Sequence, residues 1–172
     1  VLADGVKRAS ERIGKGSEKF AMHIKGVEMT GYDIRGLKTA ALGYAVSRRG
    51  ACHLRHGAYD PDVKGRVDRF KAEKGRGRLV MEGEDLYCVI DSLILCKFSR
   101  GIWQGPYEEM ARIYSLVTGI KIDASELRRA GERISNLGRL YNLREGLRRS
   151  DDTVPPRVMN LPIPDGVAEG SR

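Results

Sequence analysis

Residues 84–98 read EDLYCVIDSLILCKF. Leu86, Val89, Ile90, Leu93 and Ile94 recur at i, i+3, i+4, i+7 and i+8, the apolar stripe of a buried helix face. One carboxylate, Asp91, interrupts the run, and a cysteine, Cys96, closes it. A buried, unpaired carboxylate costs several kcal/mol or more unless donors surround it. Asp91 therefore faces water, meets an arginine or a helix-end donor, or awaits something the fold is built to bind. Cys96 on its own reads first as a small core residue.

Helical signals continue on both sides. In PYEEMARIYSLVTG (106–119), Pro106 suits a first helical turn, Glu108 and Glu109 suit the positive end of the dipole, and Gly119 suits a C-cap. DASELRRAGERISNLGRLYNLREGL (123–147) opens with a capping box from Asp123 and Glu126. Its stripe is Leu127, Ala130, Ile134, Leu137 and Tyr141. Upstream, VKRASERIG (6–14) predicts a short helix ended by Gly14 or Gly16. AMHIKGVEM (21–29) predicts an extended segment and GYDIRG (31–36) a turn. LKTAALGYAV (37–46) predicts a helix whose small residues permit close packing on a partner backbone or a cofactor. The basic-rich stretch 60–78 reads as a solvated loop with one turn of helix. From Ser150 onward four prolines impose an extended arm. The expected class is all-α: an irregular helical domain with long loops over 1–150, then an extended Pro-rich C-terminal arm over 151–172.

At 172 residues the chain is long enough for a substantial core. Its 31 Lys and Arg against 23 Asp and Glu give a net charge of +8, which suits an anionic partner such as nucleic acid, a phosphate-bearing cofactor or an acidic protein. Aromatics at 6% argue against a stacking platform for single-stranded nucleic acid and against an all-β sandwich. Cys52, Cys88 and Cys96 form an odd set without a Cys-x-x-Cys pair, which fits a reducing, cytoplasmic setting. They cannot complete a four-thiolate metal or iron–sulfur site alone. No apolar run approaches the ~20 residues of a membrane span. The N-terminal segment lacks the apolar region of a signal peptide. It begins with Val rather than Met, which processing or an origin in a longer polypeptide explains equally well.

Cys52 and His53 are adjacent in RGACHLR (49–55), and adjacent side chains diverge on regular backbone, so they make a poor nucleophile–base pair unless the chain bends. The bland alternative is a buried cysteine beside a surface histidine. Arg48, Arg49 and Arg55 form a cationic cluster suited to phosphate or developing negative charge, or simply to a solvated face. His23 and His56 have no ligand or base partner at a useful spacing and read as structural or solvent-facing. Tyr32 is either a proton donor or a packed ring.

Three blocks together resemble the C-terminal part of the tungsten-dependent aldehyde:ferredoxin oxidoreductases. They are AMHIKGVEMTGYDIRGLKTAALGYAVSRRGACHLR (21–55), DSLILCKF (91–98) and GERISNLGRLYNLREGLRRSDDTVPPRVMNLPIPDG (131–166). The resemblance implies an enzyme that oxidises an aldehyde with water to a carboxylic acid. There, two pterin dithiolenes hold tungsten (or molybdenum) without a protein ligand, and a 4Fe-4S cluster passes electrons to ferredoxin. DSLILC resembles the family's Asp-x-x-Gly-Leu-Cys. That match implies Asp91 and the backbone at Leu95 as pterin contacts and Cys96 as the last cluster thiolate. An acceptor-only carboxylate suits the N–H donors on the edge of a pterin. RGACHLR resembles the segment with the active-site histidine. His53 would then be the proton donor or hydrogen bonder at the substrate oxygen, with Arg49, Gly50 and Arg55 contacting the pterin and Tyr32 near the substrate. Ile94 stands where the motif has glycine, Ile34 where proline is usual after Tyr-Asp, and Arg48 where asparagine is common.

The family's N-terminal part carries the other three cluster cysteines, the first Asp-x-x-Gly-Leu motif and a catalytic glutamate, none of which occurs here. The expectation is a C-terminal domain or fragment that binds no cofactor and has no activity alone. Its partners would be the absent N-terminal part, ferredoxin, the aldehyde substrate and a second copy of the chain. Two rival readings stand beside it. One is a basic nucleic-acid-binding domain that uses 60–78 and the Arg clusters. The other is a non-catalytic interaction subunit packing through the small residues of 37–46.

Overall fold

The computed structural model describes residues 2–172, with side chains from Ala3 onward. Its helices and strands, in chain order, are α1 (Gly5–Ile13), β1 (His23–Ile24), β2 (Val27–Glu28), α2 (Lys38–Val46), α3 (Tyr59–Val63), α4 (Arg76–Ser92), α5 (Pro106–Thr118), α6 (Ala124–Arg144) and α7 (Pro156–Asn160). The mostly helical, loop-rich class is as expected. The extended segment at 21–29 is a minimal antiparallel hairpin, pairing His23 with Glu28 and Ile24 with Val27.

Two apolar cores result. The first gathers Ile24 of the hairpin, Ile34, then Leu37, Ala40 and Tyr44 around α2, and Val158 of α7. The second joins α4, α5 and α6 through Tyr87, Val89, Ile90, Met110, Ala111 and Leu127. The arm lies back on the molecule: Asp152 is held by Lys25 at 3.0 Å and by Arg139 of α6 at 2.8 and 2.5 Å.

Four local expectations change. Helix α4 begins at Arg76, inside the stretch read as a solvated loop, and stops at Ser92. Val89 and Ile90 are buried as the stripe requires, but Ile94 is 93% exposed. The reason is a Schellman turn: Leu95 N–H donates to Ile90 O at 3.0 Å and Ile94 N–H to Asp91 O at 3.1 Å. This turn puts Ile94 in the left-handed region at φ 57°. On α6 the capping box forms, yet Ile134, Leu137 and Tyr141 of the stripe are exposed, because α6 presents Leu127 and the small Gly131 to its neighbours. The small residues of α2 are also turned inward, with Ala40, Gly43 and Ala45 buried, so they form no free face for a partner.

The fourth change concerns 60–78. Asp62 and Arg76 pair at 3.2 Å, with side chains 0% and 6% exposed. Asp62 also accepts from Thr39 Oγ1 at 2.7 Å and from Ala40 N–H at 3.0 Å, satisfying the free donors at the start of α2. Arg76 donates further to the carbonyls of Asp68 and Lys71 at 2.5 and 2.9 Å, which folds the basic loop around its guanidinium.

Two stability predictions arise here. Asp62→Ala strands a buried guanidinium and should cost about 3–5 kcal/mol, read from the urea midpoint. A loss under ~1 kcal/mol would contradict the burial of this pair. Ile94→Gly relieves a β-branched residue held at positive φ and should raise stability by about 1 kcal/mol at unchanged m-value. A lowered midpoint would show that the turn is not left-handed.

Candidate functional site

Asp91 lies in the last turn of α4, where the negative end of the helix dipole disfavours a carboxylate. Two cations offset this. Arg55 Nη1 donates to Asp91 Oδ2 at 2.6 Å, and Lys97 Nζ stands 2.7 Å from Oδ1. Lys97 is held in turn by Tyr87 O at 3.0 Å and by the face of the Tyr87 ring at 4.3 Å. Burial pulls the Lys97 pKa down, and the Asp91 charge opposes that shift. Among the alternatives open for Asp91, the ion pair is therefore realised. One third of its side chain stays exposed, and two accepted bonds leave lone pairs for further donors.

Arg55 closes the short 3₁₀ turn His53–Arg55 that carries the histidine. The turn presses on α4 so closely that a Cβ at Gly83 would lie 2.1 Å from His56 O. His53 is therefore fixed between two tyrosines. Its ring centroid lies 5.2 Å from that of Tyr32 at an interplanar angle of 83°, and 5.8 Å from that of Tyr59 at 68°. Its Nδ1 is buried without a hydrogen-bond partner. Burial, and then the charge of Arg100, hold the imidazole below its ordinary pKa. Tyr32 also lines a cavity of about 270 Å³ with Met22, Met29, Thr30 and Arg157.

Gly50 has φ 90°, and a Cβ there would sit 2.3 Å from Ile24 O, so the hairpin's approach demands glycine. Arg49 is exposed. Leu95 is half-buried against the second core, and its N–H is already used by Ile90 O, leaving its carbonyl for a ligand. Cys96 is an exposed free thiol at the start of the 3₁₀ turn Lys97–Gly101. Among the described residues no group of three or more His, Cys, Asp or Glu is placed to hold a metal ion.

The 3₁₀ turn His53–Arg55 thus sets the His53 ring against Tyr32 and Arg55 on Asp91, while Lys97, next to Cys96, holds the same carboxylate. Lys97 falls in the DSLILCKF block, whereas Tyr59 and Arg100 join the site with no motif to mark them. Tyr59 lies in α3 and Arg100 in the turn after Cys96, and only tertiary packing brings both to His53. The basic clusters are partly occupied within the chain, since Arg55 pairs with Asp91 and Arg76 with Asp62.

A second polar cavity, about 350 Å³, lies among α2, α4, α6 and the arm, lined by Arg48, Glu84, Asp85, Glu132, Arg139 and Asp152. Burial pushes the Glu84 pKa up to about 7 despite nearby Arg48. This folded value exceeds the unfolded one, so Glu84 favours folding while protonated, and its contribution declines as pH rises from ~4.5 to about 7. His56 behaves oppositely. Burial lowers it to about 4, so its contribution increases as pH rises from about 4 to its ordinary value of 6.5. The two slopes oppose each other in the shared window. Glu84→Gln should therefore unmask a stability that climbs from pH 4.5 to 6.5, measured as urea midpoint against pH. Parallel wild-type and variant profiles would show that Glu84 does not titrate there.

The model of the family described as aldehyde ferredoxin oxidoreductase, domains 2 and 3, matches residues 1–172. The tungsten-containing aldehyde ferredoxin oxidoreductase of Pyrococcus abyssi is 33% identical over 99% of this chain and 28% of its own length. That of Thermococcus kodakarensis is 32% identical over 98% of this chain and 28% of its own length. A WOR-like subunit described as an aliphatic sulfonate oxidoreductase, from Pyrococcus furiosus, is 30% identical over 99% of this chain and 26% of its own length. The chain therefore spans little more than a quarter of these relatives. It belongs to the aldehyde ferredoxin oxidoreductase family and corresponds to that family's C-terminal region.

Proposed function

We propose that this chain is the C-terminal part of a tungstopterin aldehyde:ferredoxin oxidoreductase and forms one wall of its cofactor and substrate cavity. The observation that carries this reading is the 3₁₀ turn His53–Arg55, which sets the His53 ring against Tyr32 at one end and pairs Arg55 with Asp91 at the other. It joins the residues implied for substrate to Arg55 and Asp91, two of those implied for pterin. The family's tungstopterin and iron–sulfur cluster would supply, respectively, the two-electron oxidation and the exit for single electrons.

The chain's own residues would bind and orient. Asp91, fixed by two cations, offers its remaining lone pairs to pterin N–H groups, and the Leu95 carbonyl adds an acceptor. Cys96, already exposed at a turn, supplies one thiolate to iron. Arg49 and Arg55 add positive charge near cofactor phosphates. His53, held neutral and flanked by Tyr32, presents its ring N–H to the substrate oxygen and steadies charge that develops there. Large apolar side chains stand exposed on α5 and α6, among them Leu116 at 74%, Val117 at 80% and Leu137 at 67%. Such exposure suits a piece of a larger molecule.

Purified alone, the chain should lack brown iron–sulfur absorbance and should not reduce benzyl viologen with an aldehyde. Supplied with the N-terminal part of a family member, it should gain both. Cys96→Ser should then lose cluster absorbance, while His53→Gln keeps the absorbance and loses at least ~100-fold in kcat. Turnover by the isolated chain, or full activity in the His53→Gln assembly, would sink the proposal.

A further inference from the structure

The turn that follows Cys96 reaches back to the histidine. Arg100, within Lys97–Gly101, is anchored by a bond from Nη1 to Lys97 O at 2.9 Å. Its Cζ stands 5.6 Å from the ring centroid of Tyr59. Tyr59 is stacked on Tyr32 at 5.8 Å and 16°, and meets His53 edge-on at 5.8 Å. A permanent cation therefore sits behind the ring that supports the imidazole. Its nearest carboxylate neutralises it incompletely. Asp60 Oδ2 is 3.8 Å from Arg100 Nε, beyond hydrogen-bond reach, and is bound instead by Lys64 at 2.8 Å.

We propose that Tyr59 and Arg100 are positioning residues for His53: Tyr59 fixes the plane of the ring, and Arg100 keeps it neutral, so that it meets a substrate oxygen as an N–H donor and not as an imidazolium. This rests on the role given to His53 above and extends it to two residues outside the motif. The groups facing His53 are Tyr32, Tyr59, His56 and Arg100, with Asp60 behind Arg100 and the Arg55–Asp91 pair on the following turn. His56, lowered to about 4 by burial, adds no charge at neutral pH. The downward shift of His53, from burial and then from Arg100, runs in the required direction.

The test is an NMR titration of the imidazole Cε1–H signals in the 172-residue chain, with His53 assigned by the signal lost in His53→Gln. Arg100→Gln should move the His53 midpoint upward, and Arg100→Lys should leave it near wild type. Molar salt should raise the wild-type midpoint and leave Arg100→Gln unmoved, because screening mimics loss of the charge. The salt arm uses the wild type and so holds even where a variant folds poorly. Tyr59→Leu should broaden the His53 resonance by freeing the ring. In the assembled enzyme the acid limb of kcat/KM should shift to higher pH in Arg100→Gln. Coincident wild-type and Arg100→Gln titrations, or a salt-insensitive wild type, would overturn the coupling regardless of turnover. A shifted titration beside a fully active His53→Gln enzyme would instead overturn the histidine's role and, with it, the positioning.

Discussion

A carboxylate at the negative end of a helix, answered by two cations from different segments, organises this protein. Asp91 would be unwelcome in the last turn of α4 without compensation. Arg55 and Lys97 supply it, and in doing so tie the His53 turn and the turn after Cys96 to one point on α4. The geometry around His53 depends on this clamp and on α2, against which the His53 turn and the Tyr59 helix α3 also pack.

A second constraint is steric. The 53–57 turn can dock on α4 only because Gly83 leaves room for the His56 carbonyl. Behind it, His56 is fully buried, accepts the Ala58 N–H at 3.0 Å through Nδ1 and leaves Nε2 without a partner. An orphan donor of that kind is costly. The site thus concentrates unsatisfied polar atoms beneath an open face, as is common where a fold binds a ligand.

Much of this was legible in the residues. The capping box at Asp123 and Glu126, Pro106 and Gly119 around α5, and the periodicity of Leu86, Val89 and Ile90 are local signals and appear where local physics puts them. The readings that changed were those set by partners distant in sequence. The run 60–78 resembles solvated surface because its charges are dense, yet Asp62 satisfies the start of α2 and Arg76 gathers the loop. The stripe on α6 is real at Leu127, which enters the second core, but Ile134, Leu137 and Tyr141 further along it stay exposed.

The sequence by itself determined the caps of α5 and α6, and through three blocks of residues it indicated the family. It also singled out Asp91 as a charge that needed an answer. Only the tertiary structure decided what answers it, which tyrosines hold His53, and which arginine stands behind them. The physical reason is range. Caps, periodicity and turns are settled by neighbours within a few residues along the chain. The distance between a guanidinium and an imidazole depends on how whole helices dock.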